Sequence, residues 1–130
     1  MHNFEYVGCF FDYEELHRCI EDIRRTPLKN NKIKPHVTFE YGPQCGDETL
    51  FGEKITAVIT GYGNDGENEG LKVLLSGEND RINDMIRKIA VPHITIAVSD
   101  TGQAVNTRYL NFAEIEPRQI IGHYNGHIDE

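Results

Sequence analysis

Apolar positions fall along the chain in short blocks, some alternating and some at helical spacing, separated by polar turns. Phe4 to Phe11 is rich in aromatic and β-branched residues and predicts a strand. Asp12 is a helix cap with Glu15 three residues on, and Leu16, Cys19, Ile20 and Ile23 follow on one helical face to about Arg25. Thr26-Pro27 stops that helix, and Lys29 to Lys34 is a polar loop. Pro35 opens a strand over His36 to Tyr41, which Gly42-Pro43 ends. Glu53 to Tyr62 and Gly70 to Leu75 predict two more strands. Between them Gly61 to Gly70, full of Gly, Asn, Asp and Glu, reads as the turn. Ser76 to Asp80 leads into a second helix with Ile82, Met85, Ile86 and Ile89 inward. Pro92 then opens a strand from His93 to Val98. After a polar segment from Ser99, Gln119 to His123 is the last strand, with a frayed polar tail beyond.

The order β-α-β, β-β-α-β, β predicts one α+β domain over residues 1–130. Each half holds a helix followed by a Pro-His-x-Thr strand, so a compact, pseudo-symmetric arrangement of two-lobed antiparallel sheets with two helices is expected.

Those two strands carry the chemistry. Pro35-His36-Val37-Thr38-Phe39-Glu40-Tyr41 and Pro92-His93-Ile94-Thr95-Ile96-Ala97-Val98 align residue for residue in their first five positions. Side chains alternate along a strand, so Val37, Phe39 and Tyr41 point one way, as do Ile94, Ile96 and Val98. His36 and Thr38 point the other way, as do His93 and Thr95. Packing alone does not ask for an imidazole and a hydroxyl together on one face, twice. Displacement at phosphorus does: attack and departure are in line, so one group removes a proton while another delivers one. Histidine suits both tasks near neutrality. The threonine hydroxyls can donate to the non-bridging oxygens, where charge develops. No metal is required.

The pair His36-Val37-Thr38-Phe39 and His93-Ile94-Thr95-Ile96 resembles the paired H-x-T/S-hydrophobic motifs of the 2H phosphoesterase superfamily, which includes RNA 2′,3′-cyclic phosphodiesterases and 2′,5′-RNA ligase-like proteins. The resemblance implies motif strands facing each other across a central groove, with His36 and His93 as catalytic acid and base. It also implies phosphate binding by Thr38 and Thr95.

Composition limits the partners. Hydrophobic residues are 38% and charged residues 26% of 130, as in ordinary globular domains. The start has no basic region followed by an apolar run, and no apolar stretch approaches the roughly 20 residues needed to span a bilayer. A cytoplasmic protein with no membrane partner is expected. Cys9, Cys19 and Cys45 are odd in number and widely spaced, which fits reduced thiols, with Cys9 and Cys19 as small core residues. The net charge of −8 argues against long duplex nucleic acid, which needs a basic stripe. The basic run Arg24, Arg25, Lys29, Lys32 and Lys34 reads as a solvated helix end and loop, with phosphate guidance as its other role. A small nucleotide or an RNA terminus is the expected substrate.

Other residues rank lower. Tyr41, Ser99 and Tyr13 are possible substrate contacts, although alternation with Val37 puts Tyr41 in the core, Ser99 suits a turn, and Tyr13 and Phe11 suit burial. His123 and His127 lie among glycines and read as surface residues; His2 and His17 show no partner pattern. Asp65 to Gly70 fits a hairpin turn better than a calcium loop. No cofactor is expected, since glycine-rich nucleotide loops are missing from the sequence. The leading expectation is a metal-independent phosphodiesterase opening a 2′,3′-cyclic phosphate. A cyclic oligonucleotide hydrolase of the same superfamily and a non-catalytic phosphate-binding module are the alternatives. A transition metal held by His36, His93 and a carboxylate such as Glu40 is the weakest, for want of ligands at i, i+4 spacing.

Overall fold

In the computed structural model, which describes residues 4–24, 26–28, 33–42 and 46–128, six strands form one antiparallel sheet. The strands are β1 (Tyr6–Phe10), β2 (His36–Tyr41), β3 (Lys54–Asn64), β4 (Asn68–Gly77), β5 (His93–Val98) and β6 (Ala113–His127). Their order is β2-β1-β6-β3-β4-β5. Helix α1 (Tyr13–Ile20) links β1 to β2, and α2 (Asp80–Arg87) links β4 to β5. The α+β class, the antiparallel pairing and the two helices agree with the pattern of the sequence. The two expected sheets are instead one. Strand β6 joins the halves, pairing through 123–127 with β1 and through 113–123 with β3 on its opposite edge. The sheet curls into a nearly closed barrel, so that the edge strands β2 and β5 approach one another.

Local chemistry sets both helices. Asp12 caps α1 by accepting from the Glu15 amide at 2.8 Å, and Asn79 caps α2 by accepting from the Arg81 amide at 2.8 Å. Helix α1 ends at Ile20, short of Arg25, because the chain turns there, with the Ile23 amide bonding the Ile20 carbonyl. Leu16, Ile20 and Ile82 join Val7, Cys9, Val37, Ile55, Ile59, Leu71, Val73, Ile94, Ile96 and Tyr124 in one buried core. Full burial of each large aliphatic side chain contributes about 1.5–3 kcal/mol. Cys9 is buried as expected and Cys19 is partly so. Neither described helix is long and apolar enough to cross a membrane.

The turn expected over Gly61 to Gly70 is mostly strand. Only 65–67 form the turn, with the Asp65 carboxylate accepting from the amides of Glu67 and Asn68 at 2.9 and 2.7 Å. Asn68 and Glu69 are buried. The basic run is also revised: Arg24 is not solvated but pairs with buried Glu69, while Lys34 lies over the Phe10 ring. Arg25, Lys29, Lys32, Cys45 and His2 lie outside the described residues.

The two halves repeat a detail beyond the motifs. Thr38 pairs with Gly8 on β1, and Thr95 with Gly70 on β4. In each ladder the residue after the threonine, Phe39 or Ile96, is skipped, which makes a bulge. A Cβ on Gly8 would collide with the Val37 carbonyl, and one on Gly70 would crowd the Ile94 carbonyl and collide with the Thr107 methyl.

Candidate active site

A cavity of about 300 Å3 between β2 and β5 is lined by His36 and Thr38 from one strand and His93 and Thr95 from the other. Phe39, Tyr41, Ile89, Val91, Val105 and Arg108 are among the remaining wall residues. All four motif residues therefore line one cavity. Among the described lining residues there is no Asp or Glu, in a chain with 21 of them.

Both imidazoles are held in the same way. His36 Nδ1 lies 2.8 Å from the Lys34 carbonyl oxygen, and His93 Nδ1 lies 2.7 Å from that of Val91. A carbonyl only accepts, so each Nδ1 carries a proton and each neutral ring keeps its lone pair on Nε2. The accepting residue stands just before Pro35 or Pro92, and a residue in that position favours extended backbone. The prolines thus serve to aim the carbonyls that orient the rings.

Burial lowers the pKa of both histidines, opposed by the bond to the backbone carbonyl. The charges of His127, His93 and Lys34 lower that of His36 further, and the Arg108 guanidinium does the same to His93. The His36 ring packs against Tyr6 at 4.7 Å between centroids and against Phe10 at 5.6 Å. Tyr6 in turn stacks on His127 at 5.0 Å.

The hydroxyls differ. Thr38 is partly exposed, whereas Thr95 is buried with its oxygen 2.8 Å from Thr107 Oγ1 and 3.2 Å from the Ala104 carbonyl. The face of β5 expected to be less apolar is covered by a 3₁₀ helix, Ala104–Tyr109, which the sequence pattern did not announce. That helix brings Arg108 and Val105 to the cavity. Its signal was weak, a short segment in which Ala104, Val105 and Tyr109 stand among polar residues and one cation without a regular apolar period.

Tyr41 is a correction to the burial expected from its alternation with Val37. It is 69% exposed and lines the cavity, because the bulge at Phe39 reverses the alternation and sets Tyr41 on the side of His36, opposite Tyr6. Ser99 and Tyr13 are not in the cavity wall. Ser99 is six residues past His93, about 20 Å along an extended chain, and its hydroxyl is 3.2 Å from Thr101 Oγ1 in a turn. Tyr13 stacks on His17 at the start of α1, while Phe11 is buried. His123 is an exposed residue of β6. Glu40 lines a separate depression with Asp47 and Arg81, away from both imidazoles.

The arrangement offers two neutral imidazole nitrogens, a hydroxyl and a guanidinium to one anion-compatible space. Compared with known protein families the chain matches none, and no curated protein is significantly similar to it.

Proposed function

We propose that the protein is a metal-independent phosphodiesterase of the 2H type, which hydrolyses a cyclic phosphodiester on a small nucleotide or RNA end. A 2′,3′-cyclic phosphate is the leading substrate. The observation that carries this is the pair of imidazoles with one shared tautomer, on one cavity whose described wall has no carboxylate. A carboxylate there would repel the substrate; a neutral Nε2 accepts a proton and its protonated form donates one.

In the reaction, one Nε2 takes a proton from water as the water oxygen bonds to phosphorus. The opposite imidazolium gives its Nε2 proton to the departing ribose oxygen as that P–O bond breaks. Both rings end with their protons exchanged in role, and the product is a phosphomonoester. Thr38 donates to a non-bridging oxygen, where charge grows in the transition state. Tyr41, exposed at the rim, offers a face on which a base can stack.

The test is a panel of 2′,3′-cyclic nucleotides, RNA ending in a cyclic phosphate and cyclic dinucleotides, run with wild type, His36→Ala and His93→Ala. Turnover that falls about 100-fold or more in each variant is expected, in line with general acid–base catalysis. Turnover should persist in EDTA; activity lost to the chelator and restored by zinc overturns the metal-free mechanism. Preference for the cyclic dinucleotides reassigns the substrate within the superfamily. No product from any of them, with nucleotide binding that survives both substitutions, leaves a binding module.

A further inference from the structure

Resting on that reading and deepening it, we propose that Arg108 supplies the phosphate contact on the His93 side of the cavity, and that Thr95 is a positioning residue that fastens the helix carrying Arg108.

The two motifs match in sequence, yet their hydroxyls are placed differently. A threonine hydroxyl has one proton to donate. For Thr95 both acceptors in reach, Thr107 Oγ1 and the Ala104 carbonyl, belong to the 3₁₀ helix. Thr107 is fully buried and also accepts from Asn68 Nδ2 at 3.0 Å, which lies 2.6 Å from the Gln103 carbonyl. These groups from β4, β5 and the helix satisfy one another inside the protein. Turning the Thr95 proton toward a ligand would withdraw a bond from that buried set. Among the described residues, the cavity wall takes no 3₁₀-helix residue on the Thr38 side. The pseudo-symmetry of the fold therefore breaks at the hydroxyls.

Arg108 follows Thr107 directly, so the buried clamp fixes the residue from which the guanidinium extends. Among the described lining residues it is the one Lys or Arg. Its charge is felt by His93. Nη2 donates to the Tyr109 hydroxyl at 2.7 Å, and the guanidinium carbon stands 4.8 Å from the centre of the Tyr109 ring. A planar fork oriented in this way keeps further N–H groups for two phosphate oxygens, the geometry that arginine provides and a point charge does not. In a chain of net charge −8, a local cation beside a cavity wall without carboxylates is a specific provision for an anion.

The experiment titrates the purified full chain with inorganic phosphate and follows the imidazole resonances of His93 and His36, with no substrate present. Arg108→Ala should weaken phosphate binding by about tenfold or more, as loss of a charge-assisted pair implies, and Arg108→Lys should restore part of it. Arg108 is exposed, so these variants keep the fold. Thr95→Val should weaken binding in wild type but add nothing in the Arg108→Ala background, whereas Thr38→Val should multiply the loss there. Phosphate binding unchanged by Arg108→Ala overturns the proposal. So does a Thr95→Val effect that is equally large with and without Arg108, or a wild type that binds no phosphate at tens of millimolar. Turnover is measured separately. A protein inactive on every cyclic phosphate that still loses phosphate binding with Arg108→Ala keeps this inference and loses the enzymatic one.

Discussion

Arg24 closes on both carboxylate oxygens of Glu69 from 45 residues away, Nε to Oε2 and Nη2 to Oε1, each at 2.7 Å. The Tyr62 hydroxyl donates to Oε2 at 2.6 Å and the Leu28 amide to Oε1 at 3.2 Å. Burial opposes the charge, but these hydrogen bonds together outweigh it and hold the Glu69 carboxyl below its ordinary pKa. The cluster pins the segment after α1 to strands β3 and β4.

Removing one partner of such a pair leaves the other buried and charged. Arg24→Ala should therefore destabilise the protein by about 3–5 kcal/mol, read from the urea midpoint. Tyr62→Phe, which leaves the ion pair intact, should cost about 1–2 kcal/mol. Equal, small losses for both would mean that the carboxylate is not sealed from water.

The lowered pKa values of His36 and His93, together with that of His17, contribute to the acid limb of stability. Unfolded histidine titrates near pH 6.5. Between that value and the lower folded ones, the unfolded chain binds more protons, so stability rises with pH there. Urea midpoints should be level above about pH 6.5 and decline as pH drops below it. His36→Asn should flatten the decline; a slope that steepens only above neutrality has the wrong sign.

The same shifts place the activity optimum. Turnover needs one Nε2 protonated and the other not, and this state is most populated between the two pKa values of the free enzyme. Since both are depressed, kcat/KM should trace a bell with its maximum on the acid side of pH 6.5. A maximum above neutrality would contradict the burial of the two rings.

Gly8 leaves no room for a side chain between β1 and β2 at Thr38. Gly8→Ala should lower stability by about 1–3 kcal/mol and shift the His36 strand. Its residual activity should then fall further than the fraction folded, compared by circular dichroism and turnover at one temperature. A variant that is fully active whenever folded would show that β2 tolerates the displacement.

Signals that act over a few residues were legible in the chain itself. The bounds of β2 and β5 follow from Pro35 and Pro92 and the alternation beyond them, and the helix starts follow from Asp12 and from the polar stretch Ser76 to Asp80. The tautomer-setting carbonyls, two residues before each histidine, lie within the same local stretch. Polar strand residues were not legible. Of strand β6 only Gln119 to His123 was read as strand; the part before it, with Pro117, and the part to His127, expected to fray, are strand because β1 and β3 flank them.

By itself, then, the chain determined the two helices, the motif strands and the four motif residues that bring reactive groups, because capping, proline geometry and alternation depend on near neighbours. Tertiary structure alone decided that Tyr41 faces the cavity, that Glu69 and Asn68 are buried, that Thr95 is tied to Thr107, and that Arg108 arrives beside His93. Each of those outcomes rests on a partner far off in sequence: a bulge is defined by the strand opposite, and a polar side chain can be buried only where distant groups satisfy it.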